Sequence, residues 1–413
     1  MPTTRRLTLL QALGPGLLVA ATGVGAGDLA TGAFSGSALG TAVLWAVPVG
    51  ALLKYVLSEA LARFQLASGE TVLEGALVRS PLALRWLFLV YLLPWSWFTG
   101  AALISACGVS AHAALPLVDD PVTGKWIWGG LHSVVGLALV WRGGYRLFER
   151  VMGIAIAVMF VTVVWTAAAL GFDGEAVLRG LLVPSVPEAE GGLAWTVALI
   201  GGVGGTLTLL CYGYWIREEG RETPQDLGLC RVDLAVGFGM TALFGIAMVL
   251  IGTRIEATGK GSGLIVQLAT ELGEELGSGA RWAFLIGAWG AIFSSLLGVW
   301  QAVPYVFADF WRLRRAQPGD ELAPVDTTAP AYRGYLVALA LVPILGLGVS
   351  FRDAQRAYAV VGAAFLPLLA LALLWLGREA IVGRDLRNRP LSLLGLLATL
   401  AFFVYAGVTK LLG

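Results

Sequence analysis

The chain has 413 residues, of which 57% are hydrophobic and 13% charged, and its formal net charge is +1. A soluble protein carries roughly 25% charged residues, so this composition excludes a soluble globular enzyme and a disordered chain. Near-neutral charge without a long basic tract also excludes a nucleic-acid binder. What remains is an all-α polytopic membrane protein.

The cysteines agree with that class. Cys107, Cys211 and Cys230 lie far apart with no CxxC pair, so neither a disulfide framework nor a zinc ribbon is indicated. The histidines, His112 and His132, are too few for a histidine metal cluster. The start, MPTTRR before an apolar run, resembles a signal peptide. The run continues past any cleavage point and more spans follow, so it reads as a retained first helix.

Eleven apolar segments follow in chain order, near 8–38, 41–65, 83–113, 127–142, 147–171, 193–216, 229–252, 281–310, 332–350, 357–377 and 391–411. Each is near or above the ~20 residues that cross a bilayer, except the fourth and ninth, which sit near the ~17-residue limit. The connections are short and hold most of the charge, so one membrane domain, 1–413, is expected. Placing the N-terminus inside leaves only Lys125, Arg179, Arg254, Lys260, Arg281, Arg352, Arg356 and Lys410 outside. The remaining Lys and Arg, Lys54 among them, then fall on inside loops and helix ends. That bias predicts a cytoplasmic N-terminus and an outside C-terminus, and the short loops suggest a prokaryotic inner (plasma) membrane.

Two glycine clusters stand out. The first, Gly23-Val24-Gly25-Ala26-Gly27-Asp28, interrupts the first span with three glycines in five residues and its only formal charge. A carboxylate at mid-membrane depth costs about 2.5–3.5 kcal/mol unless it faces a cavity or a partner. The functional reading is a helix unwound at 24–28, whose freed carbonyls and Asp28 make an oxygen-rich cation site. The bland one is a packing face with Asp28 near a membrane surface. The second cluster, Gly201-Gly202-Val203-Gly204-Gly205-Thr206-Leu207-Thr208, interrupts the sixth span and runs on into Cys211, Tyr212 and Tyr214. Glycine-interrupted first and sixth spans are the sign of an inverted-repeat transporter. Repeat one would cover about 8–171 and repeat two about 193–377, with an extra helix at about 391–411.

The chain resembles the natural-resistance-associated macrophage protein (Nramp) family of divalent-metal transporters. Gly14-Pro15-Gly16-Leu17 is similar to that family's GPG start of the first helix. KYVLSEALARFQLASGET, from Lys54 through Gly69 to Thr71, resembles its helix-2 stretch. Gly287 to Trp311 resembles its helix-8 pattern through Ser294, Ser295, Gly298, Ala302, Val306 and Phe310. The resemblance implies the LeuT-type 5+5 inverted repeat with helices 1 and 6 broken. It also implies a bundle of helices 1, 2, 6 and 7 that rocks against helices 3, 4, 8 and 9.

The family binds metal with DPGN in helix 1 and A-x-x-M-P-H in helix 6, and this sequence departs from both. Counting from GPG, Gly25, Ala26, Gly27 and Asp28 fall on Asp, Pro, Gly and Asn. Thr206, Leu209, Leu210 and Cys211 fall on Ala, Met, Pro and His, and Val360 lies near the family's helix-10 glutamine. The expected metal ligands are Asp28, carbonyls near Gly25 and Thr206, a hydroxyl of Thr206 or Thr208, and Cys211. This is mostly hard oxygen. A protonated Cys211 leans toward Mg or Mn and a thiolate toward transition metals, while a buried structural cysteine is the commoner case. Gly25, Ala26, Gly27, Thr206, Thr208 and Tyr212 are the expected substrate-lining residues. Asp28 doubles as the proton-coupling site.

Tyr212, Tyr214 and Trp215, followed by Arg217, Glu218 and Glu219, read either as an aromatic gate or as an interfacial belt with a solvated helix end; the charges suit the second. Glu59 and Arg63 have i,i+4 spacing, and Asp233 and Asp309 read as structural. The sequence therefore predicts a secondary transporter of a divalent cation (Mn/Fe/Mg class) working by alternating access with proton symport. The alternative is a carrier of a small organic substrate, an amino acid or amine, on the same scaffold. No nucleophile–base pair or cofactor loop points to an enzyme. Gly23 to Asp28 lacks the strand that a phosphate-binding loop requires. The expected partners are the lipid bilayer, the divalent cation and protons, with no cofactor, nucleic acid or obligate protein partner.

Overall fold

The computed structural model describes residues 9–188, 192–254, 263–317, 320, 323–349, 354, 357–358, 361–362 and 364–412. Among these the chain is helical throughout, with no strand. The first half comprises α1 (Leu9–Gly23), α2 (Ala26–Leu39), α3 (Ala46–Ser68), α4 (Val72–Val78), α5 (Leu82–Ala114), α6 (Pro121–Ala169) and α7 (Gly174–Leu182). The second half comprises α8 (Gly192–Gly202), α9 (Cys211–Glu218), α10 (Leu227–Thr253), α11 (Gly263–Leu276), α12 (Ser278–Leu313), α13 (Pro330–Leu341), α14 (Phe365–Leu376), α15 (Glu379–Leu386) and α16 (Pro390–Leu412).

Seven of these segments are long and apolar enough to cross a membrane, and up to nine when each bent pair counts as one span. The bent pairs are Leu13–Gly23 with Ala26–Val43, at 62°, and Phe365–Leu376 with Glu379–Leu386, at 75°. The second predicted span, α3, falls outside that set because it carries Lys54, Glu59 and Arg63, yet all three side chains are buried in protein. Burial against neighbouring helices, not lipid, is what makes such charges tolerable in a span.

The fourth and fifth predicted spans form one helical run, α6, which folds back on itself. The His132 ring accepts a hydrogen bond from Trp289 Nε1 at 2.8 Å, while Gly287 backs directly onto Thr162. A straight helix would separate positions 132 and 162 by ~45 Å, so the run turns between them, and both arms flank α12. α12 is the centre of the molecule, with 78% of its spanning window buried. α16 has 17% buried and is peripheral. α4, α7, α11 and α15 are additional short helices between the spans that the segment pattern did not predict.

Candidate functional site

The chain breaks between α1 and α2 where the glycines cluster. Gly25 is the N-cap of α2 in extended backbone, with φ −139°. Its amide turns away from the helical ladder and donates to Asp28 Oδ2 at 3.2 Å. Two carbonyls of the last turn of α1 are taken over by α12. Ser294 Oγ donates to Ala21 O at 3.1 Å, and Ser295 Oγ donates to Thr22 O at 2.7 Å. Without those hydroxyls the unwound carbonyls would be buried and unsatisfied. Gly25 leaves room for Ser295, whose Oγ would lie 2.7 Å from a Cβ there.

The second break follows α8. Gly204 and Gly205 take left-handed φ angles of 85° and 82°, which only glycine adopts without strain. A short 3-10 turn, Leu207–Leu210, then leads into α9. The two breaks meet back to back: a Cβ on Gly23 would lie 2.7 Å from the Gly204 carbonyl carbon. Glycine is required at this crossing because backbone packs on backbone.

Asp28 and Lys54 complete the crossing. Asp28 Oδ1 accepts from the Gly204 amide at 3.3 Å, so one carboxylate ties both breaks together. Lys54, fully buried in the middle of α3, donates to Gly201 O at 2.8 Å and to Val203 O. In a continuous helix those carbonyls would accept from the amides of Gly205 and Leu207; the break removes that ladder and the ammonium replaces it. The Val203–Gly204 peptide is therefore held at its carbonyl by Lys54 and at its amide by Asp28. The two charges act on each other electrostatically across it.

Lys54 is the residue of the crossing that sequence reasoning missed. It was expected at an inside helix end, and the structure buries it at the crossing instead. The available signal was its place within the apolar run 41–65, because an intramembrane cation signals function by default.

The other expected residues distribute unevenly. Ala26 and Gly27 form the first turn of α2 beside Asp28. Thr206 is buried, packs on Gly362, and has the Tyr358 hydroxyl as its polar neighbour. Thr208 packs its hydroxyl against Gly205. The Tyr358 hydroxyl lies within electrostatic reach of Asp28, and its ring sits beside Trp95 with centroids 6.4 Å apart. Cys211 is buried with Tyr214 and Tyr332 as polar neighbours. Tyr212 is directed to the start of α10, where its hydroxyl meets Cys230 O at 3.3 Å and Asp233 Oδ2 at 3.1 Å. Among the described residues no three of His, Cys, Asp and Glu group closely enough to hold a metal ion by themselves. Val360 lies outside the described residues.

Below the crossing, polar networks fasten the helix ends. Asp233 accepts from the Gly16 amide at 2.7 Å and pairs with Arg221 at 2.8 Å. Asp309 accepts from Tyr214 Oη at 2.7 Å and Thr71 Oγ1 at 3.1 Å, and pairs with Arg312 at 2.5 Å. Arg312 also pairs with Glu74, which pairs with Arg217 at 2.9 Å. In α4, outside the spans, burial alone would raise the Glu74 carboxyl. The hydrogen bond and charge of Arg217, the Thr71 amide and Arg312 outweigh it and hold the carboxyl below its ordinary value of 4.5.

The solvated helix end expected from sequence holds only in part: Glu218, the last residue of α9, is exposed and accepts from Tyr305, whereas Glu219 is buried and pairs with Arg146 at 3.0 Å, and Trp215 Nε1 donates to Gln301 Oε1 at 2.8 Å. These charges have protein partners, which composition cannot reveal. Glu59 and Arg63 make their i,i+4 pair at 3.5 Å, with Arg231 also on Glu59 at 2.8 Å.

Comparison with known proteins agrees with this architecture. The chain is 25% identical over 411 residues to the divalent metal cation transporter MntH of Verminephrobacter eiseniae, covering 95% of this chain and 86% of that one. It is 26% identical over 406 residues to the MntH of Acidiphilium cryptum, covering 90% and 83%. The crystal structure of the Eremococcus coleocola manganese transporter superposes with a TM-score of 0.79 at 15% identity, covering 99% of this chain and 88% of that one. The family described as natural resistance-associated macrophage protein-like matches residues 16–412, and the chain belongs to that family.

Proposed function

We propose that the protein moves a divalent metal cation of the Mn/Fe/Mg class across a membrane by alternating access, with the cation held where the two breaks cross. The observation that carries this reading is Asp28, a half-buried carboxylate whose two oxygens touch the backbone of both broken helices. A cation there gains one formal charge and unwound backbone oxygen, the hard ligand set that suits Mg and Mn. The carbonyls of Gly25 and Thr206 are the further ligands in this reading; they are not free as expected from sequence, since each accepts one backbone amide, from Leu29 and Leu209 at 3.1 Å, and they would use their second lone pairs. Asp28 also carries the coupled proton. The relatives named divalent metal cation transporters support the cargo class.

The halves 8–171 and 193–377 act as repeats, with α16 added outside them. Helices 1, 2, 6 and 7 rock against 3, 4, 8 and 9, and the Asp309–Tyr214 and Glu219–Arg146 contacts part when the inner side opens. The N-terminus is cytoplasmic, the C-terminus outside, and the membrane a prokaryotic inner membrane.

Lys54 favours a second reading. An ammonium beside Asp28 offsets its charge, and Leu209 offers no soft ligand in place of the family's methionine, so an amino acid or amine would also suit the crossing. Uptake into proteoliposomes separates the two. Saturable Mn²⁺ uptake, lost in Asp28→Ala and competed by Mg²⁺, supports the metal reading. No uptake of Mn²⁺, Mg²⁺ or Ca²⁺ by well-folded protein, with uptake of a labelled amino acid or amine, replaces it with the second.

A further inference from the structure

The break between α8 and α9 exposes carbonyls that elsewhere would need a helix ladder, water or a bound ion. Here they are met by a side chain from another helix. Lys54 is 0% exposed and reaches Gly201 O at 2.8 Å and Val203 O. Its approach is fixed one turn earlier, where Gly50 lets α3 close onto α8: a Cβ there would lie 2.7 Å from Ile200 O. An ammonium has three donors and no acceptor, so carbonyl oxygens and a nearby carboxylate are the groups it can use. The charged group that acts on it is Asp28.

Backbone carbonyls around a compact monovalent charge are also how proteins strip and hold a free cation. We infer that Lys54 is a tethered cation occupying a carbonyl site in the break between α8 and α9, and that removing its ammonium uncovers a site for a free monovalent cation of similar size. The wild-type protein then needs no dissolved monovalent ion to hold the α8–α9 span unwound, because its own side chain supplies a cation. The same fixed charge stands between the cargo and the carbonyls of Gly201 and Val203, so those oxygens are withheld from the cargo.

The test uses the purified full-length chain in detergent and reads its melting temperature by tryptophan fluorescence. Ammonium, methylammonium or K⁺ is titrated at constant ionic strength against choline. The wild type should be insensitive to the exchange. Lys54→Ala should melt lower and regain stability saturably with ammonium or methylammonium but not with choline. Lys54→Met fills the stem's volume without the charge, and should melt below wild type and ignore every cation. A Lys54→Ala protein that extracts well only with methylammonium present counts for the inference. Failure to recover Lys54→Ala under either salt, Lys54→Ala with the same response to choline as to ammonium, or Lys54→Met as stable as wild type would overturn it. These readouts need no metal transport, so they stand apart from the assignment of the cargo.

Discussion

Asp28 and Lys54 hold opposite ends of one peptide group. The Val203 carbonyl accepts from the ammonium and the Gly204 amide donates to the carboxylate. In a trans peptide these two groups point in opposite directions, so the charges sit on either side of the peptide and align with its dipole of about 3.5 D. The arrangement explains how a helix can be unwound inside the protein without leaving its backbone bare.

Coupling across that peptide should be measurable. Asp28→Asn and Lys54→Met each remove a charged group's hydrogen bonds to the crossing and its attraction to the other charge, and each should cost about 1.5–3 kcal/mol. The double variant should be less destabilised than the sum by about 1–3 kcal/mol. Denaturation of the four proteins in detergent checks this; strict additivity would mean the two residues act independently.

The glycines at the crossing should tolerate nothing larger. Gly204→Ala adds a side chain at a left-handed φ, which costs about 1–2 kcal/mol, and brings a Cβ within 3.2 Å of the Phe238 ring. Gly23→Ala drives a Cβ into the Gly204 backbone, separates the breaks and should lower uptake at least about tenfold, as expected when reacting or binding groups shift by an ångström. Gly239→Ala is the control. It lies in the middle of α10 with open space around it, and alanine there should stabilise by about 0.5–1 kcal/mol.

Ser295 should prove to be a structural partner of the first break. Ser295→Ala strips Thr22 O of its donor, and an unsatisfied buried carbonyl costs about 1–3 kcal/mol. Thermal unfolding should show that loss, and Ser295→Thr, which keeps the hydroxyl but crowds Gly25, should recover only part of it.

Glu74 gives a pH dependence with a defined sign. Its folded-state carboxyl is held below 4.5 by Arg217, Thr71 and Arg312 against the opposing effect of burial. A depressed carboxyl contributes stability that is present above its unfolded value and disappears as the pH falls through its folded one. The wild type should therefore lose more stability than Glu74→Gln on acidification below 4.5. Melting curves of both proteins across that range provide the check, and parallel curves would contradict it.

Both breaks were legible in the sequence, because clustered glycines oppose helix formation and Asp28 is the only acid in its span. The class of fold followed from segment lengths and from the spacing of the two clusters. Lys54 was not recognised because Lys54, Glu59 and Arg63 together looked like a charged helix end; only tertiary contact shows which of them sits at the crossing. The hairpin within α6 was expected as two spans, but the helical pattern continues through Gly143 and Gly144. The partners of Glu218, Glu219 and Tyr212 were illegible for a related reason. Each contact joins two different helices, and residue type alone does not say whether a polar group meets water or another helix.

The central claim is that a divalent cation binds at Asp28, and titration of purified protein with Mn²⁺ followed by electron paramagnetic resonance tests it most directly. The wild type should bind one Mn²⁺ saturably, and Asp28→Asn should weaken that binding at least about tenfold, the loss expected when a charged ligand is replaced by a neutral one. Equal binding by both proteins, or none by the wild type, would contradict the account.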